Sequence, residues 1–163
     1  MKKSTKKGFT LVELVIVIAV IAILSAILIP TFGNVISNAN ETKYQSGAKA
    51  GYEEMLVDQL EDHPEVGEMK ALVIYKEGDK VVRAYESSNG ELKAVENVPS
   101  TGKTYGTGDA TVTVKYSGKN ATLTKGSAAV ALDETNKITT GEITLGAAYY
   151  VATNVYVIFY EKA

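Results

Sequence analysis

One apolar run constrains this chain more than anything else in it. Leu14–Ile29 holds a single polar residue, Ser25, and a serine hydroxyl can bond back to its own helix. Counted from Phe9 to Ile29 the stretch is 21 residues, about 31 Å of helix at ~1.5 Å per residue. That length spans a hydrocarbon core of about 30 Å. The run is apolar on every side, so as a helix it must sit in lipid or against other protein. The whole chain has only 163 residues, too few to wrap such a helix in a domain of its own. Lys2, Lys3, Lys6 and Lys7 precede it, a bias that places the N-terminus in the cytoplasm and the rest outside.

Two ordinary readings leave something over. A cleaved secretory signal has an apolar region of about 7–15 residues and a small-residue cut site, whereas here a longer run is followed by Ile29-Pro30-Thr31-Phe32-Gly33. A plain single-pass anchor accounts for the length and the lysines, but not for Glu13. A carboxylate deep in a bilayer costs about 2.5–3.5 kcal/mol on insertion scales. Near the end of the span it reaches headgroup level at lower cost, and a tolerated interfacial acid is one reading. The other is a charge kept for a partner. If the chain is cut after Gly8, Phe9 acquires a free amine one helical turn from Glu13. An amine and a carboxylate attract strongly in apolar surroundings, but desolvation offsets much of the gain. Such a pair sets register rather than adding stability.

The segment Lys6-Lys7-Gly8-Phe9-Thr10-Leu11-Val12-Glu13-Leu14, followed by a long apolar helix with Pro30 near its end, resembles the type IV pilin and pseudopilin family. The resemblance covers roughly residues 2–32. It implies that residues 1–8 are a basic leader, recognised through Lys6 and Lys7 and removed by prepilin peptidase between Gly8 and Phe9. It implies that Phe9 is N-methylated by the same enzyme, that Glu13 meets the terminal amine of a neighbouring subunit, and that Pro30 kinks the helix. An assembly ATPase and a platform membrane protein are the implied partners, with the cytoplasmic membrane as host before assembly. Two departures stand out. The C-terminal disulfide loop of many Gram-negative pilins has no counterpart here, and Ala19, Ala22 and Ala26 fill a stretch where several members carry glycine.

Composition narrows the chemistry. There is no cysteine, which removes disulfides, thiol nucleophiles and zinc–cysteine sites. A single histidine, His63, allows no two-histidine metal site, and its place before Pro64 reads as a solvated helix-end residue. Net charge is −2, and without the four leader lysines 13 basic side chains would face 19 acidic ones. That balance argues against broad nucleic-acid binding, and no sequence-specific nucleic acid is expected. Glu53, Glu54, Asp58, Glu61 and Asp62 read as a solvated helix face. No catalytic constellation, phosphate loop or EF-hand pattern is present, so no cofactor is expected. Some pseudopilins hold calcium in the C-terminal region, so the resemblance leaves calcium open near Asp109, Asp133 and Glu134. Asn40-Glu41-Thr42 and Asn120-Ala121-Thr122 fit the glycosylation acceptor pattern, one that is common by chance.

The expected fold is α+β: a hydrophobic helix over 9–30, its amphipathic continuation over 31–63, and a β-rich head over 64–163. Tyr44, Ala48, Tyr52, Met55, Leu56 and Leu60 recur at helical spacing and should pack on one face of an antiparallel sheet. Asp62-His63-Pro64 ends the helix. Strands are expected at Lys70–Lys76 and Lys80–Glu86, joined by a hairpin at Glu77-Gly78-Asp79, then at Glu91–Glu96, Ala110–Tyr116, Ala121–Thr124 and within Ala148–Glu161. Pro99–Asp109 reads as a loop, and a short helix is open near Ser127–Thr135. The function that follows is a structural subunit that polymerises with copies of itself and supports adhesion, motility or DNA uptake. The alternatives are a pseudopilin of a secretion or competence system, and a membrane-anchored extracellular binding module that never polymerises.

Overall fold

The computed structural model describes residues 8–88, 90–139 and 141–162. The chain divides into two units, Met1–Glu41 and Thr42–Ala163. One helix, α1, runs from Leu11 to Gln59. It continues through Pro30, whose ring nitrogen has no proton to give the Ala26 carbonyl. Thr31 Oγ1 donates to the Ile27 carbonyl at 2.9 Å. The missing bond makes this the place where the helix bends most easily.

In the second unit, strands β1 (Lys70–Glu77), β2 (Lys80–Ser88), β3 (Glu91–Ala94), β4 (Lys103–Tyr105), β5 (Val112–Ser117), β6 (Asn120–Lys125), β7 (Ala128–Ala129), β8 (Ala148–Ala152) and β9 (Val155–Glu161) form one sheet. The order is β4-β5-β6-β2-β1-β9-β8, with β3 on β2 and β7 on β6. Every pairing is antiparallel. The β1–β2 hairpin closes with Glu77 opposite Lys80, a two-residue loop with Gly78 first at φ +59°. Glycine at that place is what a type II′ turn needs. A second hairpin joins β5 to β6, with Ser117 opposite Asn120.

The two faces of the sheet are buried against different material. Ala71, Val73, Val157 and Phe159 pack with Ala48, Tyr52 and Met55 of α1. Helix and sheet come close because Gly51 has no side chain: a Cβ there would lie 3.0 Å from Val155. Buried Ser87 Oγ donates to Tyr52 Oη at 2.8 Å across this layer. At the base, Lys43 Nζ and Tyr44 Oη both donate to the Glu77 carboxylate, at 2.6 and 3.1 Å.

The opposite face carries Leu72, Ile74, Tyr156 and Ile158, which pack with Val112, Val114 and Leu123 of β5 and β6. The sheet therefore covers itself. β2 and β6 share one residue pair, Val81 with Ala121, so the strands part there and the β4-β5-β6 portion turns over the β1-β9 centre. This second layer explains why β1 and β9 are buried along nearly their whole length: strands covered on both faces read as continuous apolar runs.

Two expectations need correction. Pro99–Asp109 is not all loop, because β4 forms within it where Tyr105 is buried and Thr104 pairs with Thr113. No helix forms at Ser127–Thr135. Ala128 and Ala129 extend the β6 ladder instead, and Val130 N–H donates to the Leu123 carbonyl at 2.9 Å, so tertiary pairing overrides alanine's helix propensity. The strand material expected within Ala148–Glu161 forms β8 and β9, turned at Asn154 with φ +67°.

His63 also departs from expectation. It is 5% exposed, not solvated. Its Nε2 lies 2.7 Å from the Thr139 carbonyl and its Nδ1 3.2 Å from Glu65 Oε1. Both partners are acceptors, and only the imidazolium can donate to both. The bond to Thr139 raises the His63 pKa above the ordinary value against the cost of burial, with Glu65 and Asp62 adding to the rise. A pKa raised by folding gives stability that is complete below the unfolded value and lost as pH climbs through the folded one. The head should therefore lose thermal stability as pH rises from about 6.5, and His63→Gln should flatten that slope. Melting temperatures from pH 6 to 8.5 test this; equal slopes in the two proteins would refute it.

Candidate assembly site on the N-terminal helix

Gly8 and Phe9 lie before the first turn of α1, and Phe9 is 87% exposed. Thr10 is the residue that starts the helix. Its Oγ1 accepts from the Glu13 N–H at 3.2 Å, while Glu13 Oε2 accepts from the Thr10 N–H at 2.8 Å and from Thr10 Oγ1 at 2.7 Å. This reciprocal pair is a capping box, which satisfies backbone donors that a helix start leaves unpaired. The sequence reading missed Thr10, although its signal, Thr-x-x-Glu ahead of an apolar run, stands in residues 10–13. Glu13 therefore has a local role that needs no second subunit. Both contacts fall on Oε2, and among the described residues Oε1 makes no hydrogen bond.

Beyond the cap, α1 presents apolar surface as far as Ile29, broken only by Ser25. Its most apolar window of 18 residues is 0% buried, and large side chains from Leu14 to Ile29 are exposed throughout. Phe32, Val35 and Ile36 carry exposed apolar surface past Pro30. So much uncovered hydrocarbon needs lipid or other protein over it, and the helix is long and apolar enough to cross a membrane.

Of the residues singled out from sequence, Gly8, Phe9, Glu13 and Pro30 fall on this segment, while Lys6 and Lys7 lie outside the described residues. The structure joins Glu13 to Thr10, not to Phe9, whose backbone nitrogen is still an amide in this chain. Elsewhere, no group of three or more His, Asp or Glu among the described residues could hold a metal ion. Asp133 spends Oδ1 on the Thr135 N–H and Oγ1, both at 2.8 Å, and these bonds lower its pKa.

Comparison with known proteins finds a family model on this segment. The family described as Prokaryotic N-terminal methylation motif matches residues 3–29. Type IV major fimbrial protein FimA of Dichelobacter nodosus is 50% identical over 44 residues, 27% of this chain and 28% of that protein. Type IV major alpha-pilin of Moraxella bovis is 46% identical over 48 residues, 29% and 30% of the two chains. The chain thus spans less than a third of the length of these curated relatives. No solved structure matches.

Proposed function

We propose that this chain, whose N-terminal segment matches the prokaryotic N-terminal methylation motif and is similar to type IV pilins, is a prepilin-type structural subunit of a surface filament. The observation that carries the reading is the arrangement at residues 8–30: Gly8 and Phe9 exposed ahead of a capped helix, an acid in its first turn, and an apolar stretch with no buried residue. Prepilin peptidase recognises the leader through Lys6 and Lys7, cuts between Gly8 and Phe9 and methylates the new amine. The lysines hold the N-terminus inside while the head lies outside. Assembly then moves α1 from lipid into a core of neighbouring helices, driven by the ATPase and platform protein. Both surroundings are apolar, so packing and specific polar contacts decide the transfer rather than the hydrophobic effect. Glu13, already ordered by Thr10, presents its carboxylate to the Phe9 amine of a neighbour. The work of the chain is assembly, not catalysis.

Shearing native cells and sedimenting the released material tests this. The chain should appear in the polymer fraction, and filaments should vanish when it is deleted. A chain confined to the envelope, with secretion or transformation lost on deletion, would point to a pseudopilin. A chain that stays monomeric in the membrane would point to an anchored binding module.

A further inference from the structure

Two surface features of the Thr42–Ala163 unit are complementary. The first lies on α1. Ala48, Gly51, Tyr52 and Met55 face the sheet, so at 3.6 residues per turn Glu53 and Val57 emerge on the opposite side with Glu54 beside them, and Leu60 and Glu61 follow in the turn after the helix. Val57 is 77% exposed and Leu60 45%. They form an apolar ridge between three carboxylates. Glu53 reaches Lys49 at 3.7 Å on the surface, a contact of little strength, and Glu54 and Glu61 have no ion-pair partner among the described residues.

The second is a groove of about 440 Å³ between the β1–β2 hairpin and β6–β7. It opens where β2 and β6 part after the single pair Val81–Ala121. Val81, Leu123, Val130 and Leu132 make its apolar lining, with Lys76 and Lys80 at the rim. Asp79, Asn120 and Thr122 also line it. Neither lysine has an ion-pair partner among the described residues, and Lys76 Nζ lies 5.8 Å from the Tyr156 ring.

We propose that this groove receives the Val57–Leu60 ridge of a second copy of the chain, with Lys76 and Lys80 meeting Glu53, Glu54 and Glu61. The inference rests on the filament reading above and names the head contact of that polymer. An apolar ridge enters an apolar groove, and unlike charges meet at the edges, the arrangement that fixes partner and register. The two surfaces differ, so the contact is heterologous. Such contacts leave one ridge and one groove unfilled at the ends and propagate into open helical assemblies, where a two-fold contact would stop at a dimer.

The test is a charge exchange in the full-length chain, read as sheared filament from native cells. Lys76→Glu with Lys80→Glu should cut filament yield about tenfold or more while subunit in the membrane stays at its normal level. Adding Glu53→Lys and Glu54→Lys should restore filaments. Normal yield from the first variant, or no recovery in the second, would overturn the contact. A direct measurement guards against misfolding. The chain has no cysteine, so Val57→Cys with Leu132→Cys should give a disulfide ladder in filaments on mild oxidation, and absence of the ladder would refute the contact. Glu13→Ala separates the two claims. If it abolishes filaments while the lysine reversal does not, only the head contact fails; if the unaltered chain is itself absent from the sheared filament fraction, the filament reading fails with it.

Discussion

Glu13→Ala should abolish surface filaments while the subunit still inserts in the membrane. The substitution removes two things at once, a capping partner for Thr10 and a negative charge, and a second variant separates them. Glutamine serves at this place in a capping box as glutamate does, so Glu13→Gln keeps the helix start and loses only the charge. If the carboxylate pairs with a neighbour's amine in an apolar core, removing one partner costs about 3–5 kcal/mol, a factor of more than ~100 in subunit association. Glu13→Gln should then fail as completely as Glu13→Ala. Thr10→Ala keeps the charge and loses the cap, worth about 0.5–2 kcal/mol to the helix, and should leave filaments reduced but present. Filament yield against membrane-fraction subunit measures all three. Normal filaments from Glu13→Gln would reassign Glu13 to capping alone.

Gly8→Arg should leave Lys2 through Lys7 on the chain, and with them an unmethylated Phe9 and no filament. The structure isolates where this effect arises. A Cβ built on Gly8 meets nothing within 4 Å, so a larger side chain disturbs neither the cap nor the helix of this chain. The failure must come from the peptidase that has to accept residue 8. Intact mass of the variant from its membrane fraction reads the result, and normal cleavage would remove Gly8 from the processing argument.

What the sequence discloses follows from how local each signal is. The apolar run needs no partner in the chain to be recognised, because 21 residues from Phe9 to Ile29 exceed what a small domain can bury. Of the stripe read at helical spacing, Ala48, Tyr52 and Met55 are buried on α1 along with Gly51, and Tyr44 and Leu56 pack against them, whereas Leu60, past the end of the helix, is exposed and not part of the packed face. The second covering layer was legible in principle: Ala71–Tyr75 and Val155–Tyr160 are apolar without alternation, the mark of strands with no solvated face. β4 and β7 were not legible. They are three and two residues long and exist only because β5 and β6 offer free edges. His63 was misread for the same reason, since the carbonyl that orders it belongs to Thr139, 76 residues away. Thr10 is the opposite case: its partner is three residues on, and the capping pattern was there to be read. The ridge at Val57 carries its own signal, an apolar residue on a face otherwise acidic, but the groove that fits it depends on how β2 leaves β6.

Intact mass with N-terminal sequencing of the chain from its native cell tests the central claim most directly. The account predicts a protein that starts at Phe9 and is heavier than that sequence by one methyl group. A chain that keeps Met1 or Lys2 would reduce the segment to a membrane anchor. A chain that starts beyond Pro30 would contradict the account altogether, because the helix assigned to assembly would have been discarded.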